Sequence, residues 1–289
     1  MKLTTILFAI DKKDGLMGFK SSRFVRFFAR SIAFAFAIAV LCVGVAAVAS
    51  AQSGPVIAAA SDLKFALDEI AATFQKQTGK SVRITYGSSG NFFQQIVQDA
   101  PFEIFLSADE NFVFKLADKN LTPDRGALYA IGRIVLFAPK NSALKVDDQM
   151  ADLRRALTEG RLKKFAIANP EHAPYGRAAM EALKRADIWR QIEPKLVLGE
   201  NVSQAAQFAL SGATEGGIFA YSLALAPVIG NAGNYVLIPE SMHAPLRQRM
   251  VLTKKASATA REFFVYLQAA AARDVFKRYG FVLPTESAR

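Results

Sequence analysis

Four times between residues 55 and 211 an apolar strand pattern ends, a small polar residue follows, and a helix pattern begins. "PVIAAA" runs into Ser61-Asp62, "SVRITYG" into Ser88-Ser89, "KKFAIANPEHAP" into Tyr175-Gly176, and "LVLGE" into Asn201-Val202-Ser203. The helix after the first junction carries Leu63, Ala66, Leu67, Ile70 and Phe74 at helical spacing, while Val82, Ile84 and Tyr86 alternate as one face of a strand. "FEIFLSAD", "GRIVLFAPK", "GGIFAYS", "YVLIP" and "RQRMVLT" read as further strands. "SATAREFFVYLQAAAARDVFKRYG" reads as a helical C-terminus with Gly280 as its cap. Strands that alternate with helices need crossover connections. The expected class is therefore α/β, with mainly parallel, open sheets flanked by helices.

Each junction also has an electrostatic consequence. The first N–H groups of a helix lack intrahelical partners, and the dipole leaves that end positive. In open α/β sheets the strand ends at these junctions line the crevice where ligands bind. Four helix starts around one crevice would hold an anion without Lys or Arg. The plainer reading is that Ser and Asn are simply good N-caps. "YGSSG" argues for more, because only one of Ser88 and Ser89 can be the cap. Gly87 and Gly90 also let a ligand approach the backbone closely.

Several classes are excluded or disfavoured. Residues 20–30, "KSSRFVRFFAR", are basic and free of acids, and an uncharged run follows from Ser31 to Ser50. "ASA" then precedes Gln52. This is the layout of a secretory signal, with cleavage expected near Ala51/Gln52 and residues 1–19 as an extension or a misassigned start at Met17. The run is also long enough to be an uncleaved membrane anchor. Leu41 speaks against a lipoprotein, since a small residue should precede Cys42. Cys42 is the only cysteine, so the mature chain has neither disulfides nor cysteine metal sites. Beyond residue 51 the chain keeps 29 Lys/Arg and 23 Asp/Glu, a net +6 that is interspersed rather than blocked, which speaks against nucleic-acid binding and leaves a mild field that steers anions inward.

Enzymatic motifs are weak. Gly87-Ser88-Ser89-Gly90-Asn91 departs from the G-x-S-x-G elbow at Asn91. There are two histidines, and His172 could serve Ser89 as a base in a secreted serine hydrolase, although only Glu171 stands near to orient it. No phosphate-binding loop, dinucleotide fingerprint or H-E-x-x-H occurs.

"AAASDL", "YGSSG", "FEIFLSADE", "ANPEHAPYG", "ENVSQA" and "VFKRYGF" resemble, in order and spacing, the periplasmic molybdate-binding proteins, solute receptors of molybdate ABC importers. The resemblance runs from about Val56 to Pro284. It implies a periplasmic solute-binding protein fold: two α/β lobes joined by two crossover strands, with a tetrahedral oxyanion held by neutral hydrogen bonds in the cleft. The lobes it implies are 52–132 with 241–289, and 133–240, after a signal peptide over 1–51. Carried onto this chain, it places hydroxyl and backbone donors at Ser61 and Ser89, with Ser88 beside the latter as support. It places main-chain N–H donors at Asp62 and Val202 and a phenolic donor at Tyr175. Asp62 should turn its carboxylate away from the anion. The metal atom itself would have no direct protein ligand. Many members carry a binding tyrosine in a "GI-x-Y" strand, whereas this chain has Ala220 there and Tyr221 one step later. The implied protein is not an enzyme and needs no cofactor. Its ligand is molybdate and tungstate, its partner the permease of an importer, its place the periplasm, and its state monomeric. The rivals are a receptor for another oxyanion such as sulfate, and the hydrolase using Ser89 and His172.

Overall fold

The computed structural model describes residues 54–284. The signal-like segment and its cleavage motif lie outside them. Within them, ten strands form two five-stranded sheets. The first has the order β2-β1-β3-β10-β4, from β1 (Val56–Ala60), β2 (Arg83–Gly87), β3 (Ile104–Ser107), β4 (Ala127–Gly132) and β10 (Leu246–Leu252). The second has the order β7-β6-β8-β5-β9, from β5 (Ile134–Pro139), β6 (Phe165–Ala168), β7 (Leu196–Gly199), β8 (Gly217–Ala220) and β9 (Gly233–Leu237).

Each sheet is parallel except for one strand. β10 runs antiparallel to β3 and β4, and β5 runs antiparallel to β8 and β9. These two strands are the ones the chain enters as it crosses between sheets, at Arg133 after β4 and again between β9 and β10. β5, "IVLFAP", is buried along its whole length, as a strand covered on both faces must be.

Eleven α-helices flank the sheets among the described residues: α1 (Lys64–Thr78), α2 (Ser89–Val97), α3 (Glu110–Asp118), α4 (Ala151–Thr158), α5 (Pro174–Arg185), α6 (Trp189–Ile192), α7 (Val202–Leu210), α8 (Tyr221–Ala224), α9 (Pro227–Gly230), α10 (Ala258–Tyr266) and α11 (Ala270–Arg278). α1 buries Ala66, Leu67, Ile70 and Phe74, the stripe its spacing foretold, and stops at Gly79 with φ +72°. Phe74 meets Phe263 of α10 edge-on at 5.0 Å, which ties the first helix to the last part of the chain. Fully burying a side chain of this size contributes about 1.5–3 kcal/mol.

Two elements depart from the sequence reading. The C-terminal stretch is two helices, broken at residues 267–269. One helix over 258–278 would run about 31 Å, well past strands of this length. The break lets Phe263, Leu267, Val275 and Phe276 all enter the same core. Gly280 does close α11, with φ +74° and the Phe281 N–H donating to Phe276 O at 3.1 Å. "GGIFAYS" is a strand only to Ala220, and Tyr221 opens α8 instead. The face-to-face alternation of a strand therefore does not reach Tyr221.

Candidate functional site

The helix starts picked out by the strand–cap–helix pattern converge between the two sheets. One pocket is lined by Ser61 and Asp62 from the 3-10 turn after β1, Ser88 and Ser89 at the start of α2, Ala173, Pro174 and Tyr175 at the start of α5, and Val202 at the start of α7. Ala60, Gly87 and Ala108 complete the wall. Among these lining residues the only charged side chain is that of Asp62. No Lys or Arg is among these lining residues, so the positive ends offered to an anion are those of the helices.

Ser88, in extended conformation, is the cap of α2, and its hydroxyl accepts the Asn91 N–H at 3.4 Å. Ser89 is thereby left as the first helical residue. Its hydroxyl oxygen accepts the Ala108 N–H at 2.9 Å. Ser61, on the same sheet as Ser89, behaves in the same way: its hydroxyl accepts the N–H of Ser203, from the helix after β7 of the second sheet, at 3.2 Å, and the Ser203 hydroxyl donates to Ser61 O at 2.8 Å. Both serines are buried. Each oxygen is fixed by a backbone donor, and among the described residues neither hydroxyl hydrogen has an acceptor. Asn201 caps α7 by accepting the Gln204 N–H at 3.1 Å, which makes Val202 the first residue of that helix. The N–H groups of Ser89 and Val202 have no carbonyl partner among the described residues, as expected for first-turn donors.

The Asp62 carboxylate lies in a buried network. Tyr175 donates its hydroxyl to Asp62 Oδ2 at 2.9 Å, and Gln248 Nε2 donates to the same oxygen at 2.7 Å and to the Tyr175 hydroxyl at 2.9 Å. Tyr129 donates to Gln248 Oε1 at 2.6 Å. Asp62 Oδ1 is buried without a partner. Burial raises the Asp62 carboxyl to about 6, against the lowering effect of the Gln248 and Tyr175 hydrogen bonds. Burial, then the Asp62 carboxylate, pushes the Tyr175 and Tyr129 phenols well above their usual range, so both stay protonated. The sequence reading gave the Tyr175 phenol to an anion. In the structure Tyr175 is among the lining residues while its hydroxyl hydrogen goes to Asp62. Gly132, the last residue before the chain crosses to the second sheet, packs on this network. A Cβ there would lie 2.2 Å from the Tyr175 hydroxyl.

Sequence reasoning missed Gln248 and Tyr129. Gln248 sits between Arg247 and Arg249 in β10, in the inward register of Leu246 and Met250, and it is fully buried. A polar residue in the buried phase of an alternating strand was the available signal. Tyr221 lies apart from the pocket lining. Its ring faces Tyr235 at 6.1 Å and lies against Gly280.

The Ser89–His172 pair of the hydrolase reading is not formed. His172 Nδ1 lies 2.9 Å from the hydroxyl of Ser88, and its Nε2 is 3.7 Å from Glu200. The Ser88 oxygen is occupied as a helix cap. The cluster joins α2 to the loop before α5: the Gly90 N–H donates to His172 O at 2.9 Å, and Asn91 Nδ2 donates to Glu200 at 2.5 Å.

Residues 55–282 match the family model of bacterial extracellular solute-binding proteins. The molybdate-binding protein ModA of Rhodobacter capsulatus is 37% identical over 237 residues, covering 80% of this chain and 90% of that protein. ModA of Azotobacter vinelandii is 34% identical over 249 residues, covering 85% of this chain and 96% of that protein. The solved structure of the Azotobacter vinelandii periplasmic molybdate-binding protein superposes with a TM-score of 0.73 at 31% identity, over 80% of this chain and 100% of that one. The two-sheet α/β architecture with a cleft between the sheets is the solute-binding protein fold, and these proteins are receptors rather than enzymes. The chain belongs to the family of bacterial extracellular solute-binding proteins.

Proposed function

We propose that the protein is a periplasmic receptor that binds molybdate, and tungstate with it, and delivers the anion to the permease of an ABC importer. The observation that carries the reading is the pair of buried hydroxyls, Ser61 and Ser89. Each oxygen is fixed by a backbone N–H and, among the described residues, each hydrogen is uncommitted; the two serines follow the neighbouring strands β1 and β2, in a pocket ringed by helix starts. Such a site supplies neutral donors to a tetrahedral oxyanion. The relatives named above for molybdate support that choice of anion. Ser61 and Ser89 bind through hydroxyl and backbone, Asp62 and Val202 through main-chain N–H, and Tyr175 through its phenol. No cofactor takes part. The lobes are 52–132 with 241–289, and 133–240, and the receptor acts as a monomer once its signal peptide is removed.

Thermal unfolding with and without molybdate tests this. A ligand that binds only the folded form stabilises it by RT ln(1 + [L]/Kd), about 2.7 kcal/mol at 100 times Kd. A melting temperature unmoved by millimolar molybdate contradicts the reading.

A further inference from the structure

We propose that Asp62 takes up one proton when the oxyanion binds, and that this proton turns the Tyr175 hydroxyl from the carboxylate towards the anion. The proposal rests on the molybdate reading above and deepens it.

The geometry poses a conflict. The Tyr175 hydroxyl has one hydrogen, and it lies on Asp62 Oδ2 at 2.9 Å. Gln248 Nε2 already fills one lone pair of the same hydroxyl at 2.9 Å. While Asp62 is ionised, the phenol of this pocket-lining residue therefore has no hydrogen left to give an anion. The carboxylate adds a like charge beside the site. Its Oδ1 is buried and unpaired, a costly arrangement for a charged group.

One proton resolves all three problems. A hydrogen placed on Asp62 Oδ2 donates back to the Tyr175 oxygen, along the contact already made. The phenol then accepts from both Gln248 and Asp62, and its own hydrogen is free for an oxygen of the anion. Oδ1 becomes the carbonyl of a neutral acid, for which the missing partner matters less. The balance is one proton from solvent, with no bond between heavy atoms formed or broken.

Among the described residues no cation pairs with Asp62 to oppose this. Its side chain meets Tyr175 of α5 and Gln248 of β10, with the Tyr129 phenol of β4 on the far side of the Gln248 amide, while Ser222 of α8 donates to its backbone carbonyl at 2.8 Å. The cations on the packed elements are engaged elsewhere. Arg133 pairs with Glu240 at 3.1 Å, Arg177 with Asp109 at 2.8 Å, Arg247 and Arg249 with Glu110, and Lys64 with Asp68 at 3.0 Å. The two tyrosines are held protonated. Asp62 itself, raised to about 6, is ionised at neutral pH in the empty receptor yet close to protonation.

The test is calorimetric titration of the mature receptor with sodium molybdate in buffers of different ionisation enthalpy, from pH 7 to 8.5. About one proton should be taken up per anion, and affinity should fall about tenfold per pH unit. Asp62→Asn should bind with no proton uptake and a flat profile, and at pH 8.5 it should bind more tightly than the wild type. Proton release or no exchange in the wild type overturns the proposal without any variant. Uptake that persists in Asp62→Asn places the proton on the anion and also overturns it. Absence of any binding heat with molybdate, in both proteins, overturns the ligand assignment itself.

Discussion

The Gly90 N–H donates to the carbonyl oxygen of His172 at 2.9 Å, so the start of the helix that carries Ser89 is stitched to the loop that leads to Tyr175. The contact joins the two sides of the pocket and needs a residue without a side chain. A Cβ at position 90 would lie 2.6 Å from that same oxygen.

Gly90→Ala should therefore hold the two sides apart. Gly90 has no positive φ, so alanine is not strained in the helix itself, and the fold should persist. Overpacking of this kind costs about 1–3 kcal/mol, or roughly five- to 150-fold in affinity. Calorimetry should show weakened molybdate binding with little change in the ligand-free melting temperature. Unchanged affinity would mean that the contact is not made in the bound form.

Tyr175 and Tyr221 should behave differently. Tyr175 lines the pocket, while Tyr221 packs on Tyr235 and Gly280. A hydrogen bond to a charged partner is worth about 1.5–3 kcal/mol, so Tyr175→Phe should weaken molybdate binding by roughly ten- to a hundredfold. Tyr221→Phe should change it by less than about threefold, the scale of a ~0.5 kcal/mol surface change. Titration of both variants decides the matter, and a larger loss in Tyr221→Phe would contradict the site.

The Asp62 carboxyl should leave a mark on stability even without ligand. Its folded value is raised from 3.8 to about 6. The folded protein then holds a proton that the unfolded chain releases between those values. That contribution is present below about pH 4 and is lost as pH rises through about 6. The full shift corresponds to about 3 kcal/mol. Asp62→Asn, which never ionises, should gain stability over the wild type as pH rises from 4 to 7.5. A difference in melting temperature that stays constant across that range would contradict the raised value.

The site was legible where it is local. A strand end, a small polar cap and a helix start occupy a few consecutive residues, and Ser61 and Ser89 of one sheet meet Tyr175 and Val202 of the other because such junctions gather at the carboxyl ends of the strands. The network behind the pocket was not legible. Asp62, Tyr129, Tyr175 and Gln248 come from four distant parts of the chain, and only the fold brings them together. The reversed strands β5 and β10 escaped for a related reason. Strand direction depends on where the chain crosses between sheets, and an apolar run such as "RIVLFAP" carries no sign of it.

Titration of the mature receptor with molybdate, alone and in a large excess of sulfate, tests the central claim most directly. Both are dianions at neutral pH. Donors fixed at Ser61, Ser89 and Val202 fit one radius best, and each donor left unpaired by the smaller anion costs about 1–3 kcal/mol. The expected result is saturable binding of one molybdate per chain, scarcely changed by sulfate. Equal competition by sulfate, or no saturable binding of molybdate, would contradict a molybdate receptor built on this pocket.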